Sequence, residues 1–186
     1  IEQNVEPFQW SDKKPYIFSI GRMVQEKGFQ TLIEAAPAIL QKFDIHFIVA
    51  GKGPLLEHFR HMVREQGLEK SVHFIGFVTD EERWELFRQC KAAVFPSLYE
   101  PFGIVALEAM ATHTPVIVGN VGGLAEIVEN RVNGLKVTPG SVNELAQAII
   151  ELLTDTELAN QLQETGYETV KSVYGWEVIA RSTLDV

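Results

Sequence analysis

Six short apolar runs recur along the chain, and longer amphipathic stretches separate them. The runs cover residues 16–20, 46–50, 72–75, 92–95, 115–118 and 135–137. Each run is almost continuously apolar, whereas a strand with one solvent-exposed face would alternate apolar and polar residues. The pattern therefore predicts six strands that are covered on both faces.

The stretches between these runs have helical periodicity. In the first stretch, apolar residues follow the spacing of one buried helical face: Phe29, Leu32, Ile33, Ala36 and Leu40. Further helices are predicted over residues 55–66, 80–90, 103–112, 142–153, 155–172 and 176–184. Thr79 and Glu82 have the spacing of a capping box at the start of the 80–90 helix.

The order of these elements predicts the fold class. Strands alternate with helices over about 120 residues, which indicates an α/β fold with a doubly wound, Rossmann-like parallel sheet. No linker rich in Gly, Pro or Ser divides the chain, so we expect one main domain at residues 15–172. Residues 1–14 are polar and are interpreted as a lead-in segment. Residues 173–186 are expected to form a final helix that braces a part of the protein absent from this chain.

Composition narrows the classes of partner. The net charge of the 186-residue chain is -9, which argues against a nucleic-acid partner, although a few local cations can still bind a phosphate. Cys90 is the only cysteine, so no internal disulfide is expected and a reducing, cytoplasmic setting is favoured. No apolar run approaches the roughly 20 residues that span a bilayer. The chain starts at Ile1, which favours a fragment of a longer protein.

Five loops follow the predicted strands, at the edge where doubly wound sheets bind ligands. They cover residues 21–28, 51–54, 76–82, 96–103 and 119–123, and all contain glycine. The first, GRMVQEKG, supplies Arg22, Lys27 and backbone N–H groups near a helix N-terminus, a combination that suits a diphosphate. The alternative interpretation is two solvated surface cations.

Two glutamates stand out near the predicted helix 103–112. Glu100 comes just before it, and is interpreted either as an acid favoured by the helix dipole or as a ligand-binding group. Glu108 lies among apolar residues inside it, where a carboxylate needs a partner. It is interpreted either as half of a buried ion pair or as the acceptor for two vicinal hydroxyls, as in a ribose. Phe102, Gly103 and Ile104 are predicted to begin the helix with free N–H groups.

Other candidate groups have simpler explanations. His58 and His61 have helical spacing but no third metal ligand nearby, so they are expected to be exposed. The acids at residues 80–82 are expected at a helix start. The loops at 51–54 and 119–123 break the GxGxxG dinucleotide fingerprint, and no Walker A motif exists. No D-x-D metal motif appears at the loop edge.

Three motifs together resemble a known family. The E-x7-E pattern in EPFGIVALE, with GRMVQEKG upstream and PVIVGNVGGLAEIV downstream, resembles the retaining GT-B glycosyltransferases of family 4, relatives of glycogen synthase. The resemblance covers nearly the whole chain and matches the C-terminal, donor-binding half of these enzymes. The segment QNVEPF is similar to the family's N-G-V-D-x-x-x-F segment but lacks its glycine. The acceptor-binding half has no counterpart in this chain.

The resemblance implies roles for individual residues. Glu108 would bind the ribose of a nucleotide sugar, and Glu100 would bind hydroxyls of the transferred sugar. Arg22 and Lys27 would neutralise the diphosphate in place of a metal. The backbone of Gly76, Phe77 and Val78 would contact the base, with Arg83 nearby. The backbone at Gly21, Gly51 and Gly53 would approach the donor closely. The N–H groups of Phe102, Gly103 and Ile104 would also contact the donor.

The resemblance also implies an activity. We expect retaining, metal-independent hexosyl transfer without a cofactor. UDP-glucose is the first choice of donor, and GDP- and ADP-sugars are the alternatives. The acceptor would be a saccharide or a lipid-linked sugar in polysaccharide or glycoconjugate biosynthesis. The parent protein would be cytoplasmic, with peripheral membrane association as one expectation. The isolated domain is expected to be inactive in transfer. The alternatives are a nucleotide-sugar epimerase, a nucleotide-sugar sensor module and an NAD-binding domain.

Overall fold

The computed structural model describes residues 14–173, so the lead-in segment before Lys14 and the predicted helix 176–184 lie outside the described residues. All six predicted strands are present. Two differ at their ends, because the third strand extends to Gly76 and the fifth is shifted by one residue. The strands are β1 Tyr16–Ile20, β2 His46–Ala50, β3 Val72–Gly76, β4 Ala92–Phe95, β5 Val116–Gly119 and β6 Leu135–Val137.

The six strands form one parallel sheet in the order β3-β2-β1-β4-β5-β6. The chain therefore builds one half of the sheet outward from β1 and the other outward from β4. This confirms the predicted doubly wound, Rossmann-like fold. Ligands of such sheets bind beyond the carboxyl ends of the strands where the order reverses. Here that point lies between β1 and β4, which pair through Ile17 with Ala92 and Phe18 with Ala93.

Within residues 14–173 seven α-helices connect and cover the strands. They are α1 Phe29–Leu40, α2 Leu56–Glu65, α3 Asp80–Gln89, α4 Ile104–Met110, α5 Gly122–Ile127, α6 Val142–Thr154 and α7 Thr156–Val173. The α5 helix and a 3₁₀ turn at Gln25–Lys27 were not predicted. The prediction for 103–112 was too long. Gly103 caps α4 at a φ of 72°, outside the helical region, and the regular helix ends at Met110.

The predicted capping box of α3 is confirmed. The Glu82 N–H donates to Thr79 Oγ1 at 3.2 Å, and the Thr79 N–H donates to Glu82 Oε2 at 2.7 Å. The two bonds satisfy N–H groups that have no partner within the helix. They fix where α3 begins, and so they fix the position of Asp80 and Arg83 in its first turn.

Two apolar cores lie on opposite faces of the sheet. On one face α1, α2 and α6 pack through residues such as Phe29 and Phe59, whose ring centroids are 5.9 Å apart. On the other face α3, α4 and α5 pack against the strands, with Phe18 and Phe87 at 5.1 Å. With both faces covered, the edge at the carboxyl ends of the strands is where a ligand can enter. No helix within residues 14–173 combines the length and apolar character needed to cross a bilayer.

Candidate functional site

The loops after β1 and β4 meet where the strand order reverses. The N–H groups of Leu98 and Tyr99 donate to the Glu26 carbonyl at 2.8 and 3.2 Å. Gly28 lies so close to the Pro96 carbonyl that a Cβ at Gly28 would sit 1.9 Å from its oxygen. These backbone contacts bring Lys27 of the first loop beside Glu100 of the second.

Lys27 and Glu100 form an ion pair at this point. The Lys27 ammonium donates to Glu100 Oε2. The side chain of Lys27 is 27% exposed and that of Glu100 is 10% exposed, so the carboxylate depends on Lys27 for compensation. Both residues border a narrow cavity whose other lining residues are Ser19, Ile20, Phe29, Phe95, Pro96, Ser97 and Val105. The sequence singled out both side chains but did not predict that they pair with each other.

Arg22 differs from Lys27, although both lie in the first loop. Its side chain is exposed. Within residues 14–173 the guanidinium has no ion-pair or hydrogen-bond partner. The loop therefore offers one cation that is already neutralised and one that is available to an anion from solvent.

Glu108 has the ion-pair partner that one of its two interpretations predicted, although the pair is only partly buried. We expected an apolar surrounding, but its side chain is 26% exposed, and Oε1 lies 3.1 Å from Arg83 Nη2 of helix α3. The same Nη2 atom lies 3.2 Å from Asp80 Oδ1. Partial burial raises the pKa of Glu108 above its ordinary value. The Arg83 guanidinium opposes this shift, and the Asp80 carboxylate adds to it.

The glycines of the 51–54 loop serve the fold directly. A Cβ at Gly51 would lie 1.9 Å from the Gly21 carbonyl oxygen, and one at Gly53 would lie 2.6 Å from the Met23 backbone. The Met23 N–H donates to the Lys52 carbonyl at 3.0 Å. Gly51 therefore approaches the backbone of Gly21, and Gly53 approaches that of Met23, both in the loop after β1. The close approach of these glycines to a donor stays a prediction.

The predicted base-binding segment starts at the end of β3. Gly76 is the last residue of β3, Phe77 is 71% exposed, and the Val78 side chain is buried in the core beside α3. Lys52 Nζ lies 5.8 Å from the centroid of the Phe77 ring, within the range of a cation–π contact. Sequence reasoning missed Lys52, and its place in a loop at the ligand edge is the only signal that pointed to it.

The segment before α4 differs from the prediction. Only Ile104 of the three expected residues is helical, because Gly103 is the cap and Phe102 precedes it. Phe102 and Ile104 are 72% and 62% exposed. Within residues 14–173 none of the three N–H groups donates to another backbone group or to a side chain. The helix starts later than predicted, and the use of these N–H groups by a ligand stays a prediction.

The simpler interpretations of other polar groups are confirmed where the structure tests them. His58 and His61 are exposed. The acids at 80–82 lie in the first turn of α3. Among residues 14–173 no group of three or more His, Cys, Asp or Glu side chains is placed to hold a metal ion. The metal independence of the activity stays a prediction.

Comparison with known proteins extends these observations. The family model "Glycosyl transferases group 1" matches residues 1–169. The chain is 36% identical over 175 residues to a glycosyltransferase of Methanocaldococcus jannaschii, MJ1607. The match covers 94% of this chain and 45% of that protein. The chain thus spans about half the length of this curated relative.

Two solved structures share the fold. One is the C-terminal domain of a group 1 glycosyl transferase, LpcC, from Francisella tularensis, with 33% identity and a TM-score of 0.79 over 88% of this chain and 89% of that chain. The other is Anabaena HepE in complex with UDP-glucose, with 28% identity and a TM-score of 0.81. That match covers 94% of this chain and 50% of HepE.

Proposed function

Because this chain belongs to the group 1 glycosyl transferases, we propose that it is the C-terminal, donor-binding half of a retaining family 4 hexosyltransferase that takes UDP-glucose. The observation that carries the proposal is the Lys27–Glu100 pair at the point where the strand order reverses. It supports the proposal because an ammonium can bind a diphosphate and the adjacent carboxylate can accept hydrogen bonds from sugar hydroxyls. The UDP-glucose bound to HepE supports the choice of donor.

The proposed roles follow the chemistry of each group. Arg22 and Lys27 bind the diphosphate, and Glu100 accepts hydrogen bonds from the transferred sugar. Glu108 accepts from the ribose hydroxyls. The backbone at Gly76, together with the exposed Phe77, borders the base. Val78 contributes only through its backbone, because its side chain belongs to the core.

The diphosphate is the group whose charge changes most during transfer. The bond between the anomeric carbon and the diphosphate oxygen breaks, and negative charge builds on the departing diphosphate. A bond from that carbon to an acceptor hydroxyl oxygen forms, and the hydroxyl proton passes to water or to the departing diphosphate. Arg22 and Lys27 stabilise that charge. Each is expected to contribute about 3 kcal/mol, by analogy with single oxyanion-site donors. No nucleophile is assigned, and no metal or other cofactor is needed for the proposed step.

Transfer itself is proposed to need the other half of the enzyme. Orientation of two reactants can be worth about 7–11 kcal/mol of barrier. This chain contains every loop proposed for the donor, so we expect it to bind donor but transfer poorly. The parent protein is proposed to act in the cytoplasm on a saccharide or lipid-linked acceptor, in polysaccharide or glycoconjugate biosynthesis, with peripheral membrane association as part of the proposal.

Calorimetry on this chain tests donor binding. UDP, GDP, ADP and their glucose conjugates are titrated with and without EDTA, together with uridine and NAD. We expect UDP-glucose and UDP to bind best, with no effect of EDTA. Arg22→Ala should weaken the binding of UDP far more than the binding of uridine, because uridine lacks the diphosphate. Equal losses for the two ligands would contradict the role of Arg22, and preference for NAD would contradict the donor assignment.

A transfer assay tests the half-enzyme proposal. This chain and its full-length parent are compared with the same UDP-sugar and acceptor extract. Transfer by the parent alone is the expected result. Comparable rates would mean that this domain carries a complete active site.

A further inference from the structure

Arg83 lies between two carboxylates that differ in burial. Its Nη2 atom is 3.1 Å from Glu108 Oε1 on α4 and 3.2 Å from Asp80 Oδ1 on its own helix, α3. The Asp80 side chain is 76% exposed, whereas the Glu108 side chain is 26% exposed. Because water screens the exposed pair more strongly, the contact with Glu108 is the one that matters energetically.

The contact occupies only one oxygen of Glu108. Within residues 14–173 Oε2 has no ion-pair or hydrogen-bond partner. The Arg83 Nε–H is buried and has no partner among the same residues, so Glu108 and Asp80 are the acceptors that orient the guanidinium there. Arg83 therefore holds one side of the Glu108 carboxylate and leaves the other oxygen to a ligand.

We propose that Arg83 is a positioning residue, which keeps Glu108 ionised and oriented so that Glu108 can bind the ribose of the donor. This inference rests on the proposed function of Glu108. It differs from the donor contact near the base that the family resemblance implied for Arg83, because Arg83 here acts through Glu108 and not on the nucleotide. Arg83 and Asp80 are the charged groups that face Glu108 among the described residues.

The charges around Glu108 predict the direction in which each substitution shifts the pH dependence of donor binding. A protonated Glu108 would lose acceptor capacity and turn one oxygen into a donor. Donor affinity should therefore fall as pH decreases through the pKa of Glu108. Removal of Arg83 takes away a charge that lowers this pKa, so the fall should begin at higher pH. Removal of the Asp80 charge should shift it to lower pH.

Calorimetric titration of UDP and 2′,3′-dideoxy-UDP, from about pH 5 to about pH 8, tests the predicted direction of each shift. The variants are Arg83→Met, Arg83→Lys and Asp80→Asn. Arg88→Met is the matched control, because Arg88 also lies on α3 and pairs three residues back, with Glu85, at 3.3 Å in an exposed position. The ionisation of Glu108 is followed without ligand by carboxyl ¹³C NMR, assigned with Glu108→Gln.

We expect Arg83→Met to bind UDP about tenfold more weakly at the acid end of this range, with a smaller loss at the alkaline end. Arg83→Lys should restore part of the affinity and of the pH profile. Asp80→Asn should shift the profile the opposite way, and Arg88→Met should leave it unchanged. Binding of dideoxy-UDP should change little in all four variants.

Two results would overturn this inference and leave the proposed function intact. One is equal loss of UDP and dideoxy-UDP affinity in Arg83→Met, which would indicate a structural role. The other is an unchanged Glu108 titration in Arg83→Met while wild type binds UDP. Failure of wild type to bind any nucleoside diphosphate would overturn the proposed function, and this inference with it.

Discussion

Replacement of Lys27 by Met should destabilise the domain, because it leaves the Glu100 carboxylate without its partner. Removal of one partner from a buried ion pair costs about 3–5 kcal/mol. The Lys27 side chain is 27% exposed and that of Glu100 is 10% exposed, so water can reach part of the site. We therefore expect a loss of about 2–3 kcal/mol, which lowers Tm by about 4–12 °C for a domain of this size.

Urea unfolding followed by circular dichroism measures this loss. The double variant Lys27→Met/Glu100→Gln should regain most of it, since no unpaired charge remains. Lys14→Met is the matched control. Its partner Asp44 is 3.1 Å away, but the two side chains are 44% and 79% exposed, so the expected cost is under about 1 kcal/mol. If Lys27→Met costs no more than Lys14→Met, the pair does not compensate a buried charge and the reasoning fails.

Three further predictions concern the fold. Gly28→Ala should cost at least about 3 kcal/mol in urea unfolding, because it adds a Cβ 1.9 Å from the Pro96 oxygen at a φ of 71°. Its matched control is Gly67→Ala, at a φ of 66° with open space around it, which should cost only about 1 kcal/mol. The Cys90 thiol should resist a disulfide reagent until urea unfolds the protein, since burial raises its pKa well above the usual range; rapid labelling of the native protein would contradict this. Asn133→Ala removes one buried hydrogen bond, at 3.1 Å, and two partly buried ones, at 2.7 and 3.3 Å, and should lower the unfolding free energy by about 2–3 kcal/mol.

The strands were predictable because their signal is local. Each is a short apolar run that needs no knowledge of its neighbours, and parallel pairing follows from the helices between the runs. Helix α5 was not predictable in this way. It has six residues and begins with Gly122 and Gly123, which are poor helix formers. Its position comes from packing, since Leu124 and Ile127 are buried in the core of that sheet face.

The candidate site was predictable as a set of residues but not as a set of contacts. Loops that follow parallel strands must meet at one edge, so the proximity of Lys27 and Glu100 follows from topology. The pair between Arg83 and Glu108 does not, because it depends on how α3 and α4 pack. Their spacing of 25 positions in the sequence gives no local signal. The role of Gly53 was also hidden, since the backbone that it approaches belongs to another loop.

Each carboxylate of the E-x7-E motif is ion-paired with a cation from a different element of the fold. Glu100 lies against Lys27 across the junction of two loops, and Glu108 lies against Arg83 across two helices. A diphosphate alone would draw Lys27 from Glu100 and leave a carboxylate that is only 10% exposed without compensation. A free sugar could donate hydroxyls to Glu100 but would bring no anion for Lys27 or Arg22. A nucleotide sugar supplies the anion and the hydroxyl donors in one molecule, so it can replace the resting ion pair without leaving either partner unsatisfied.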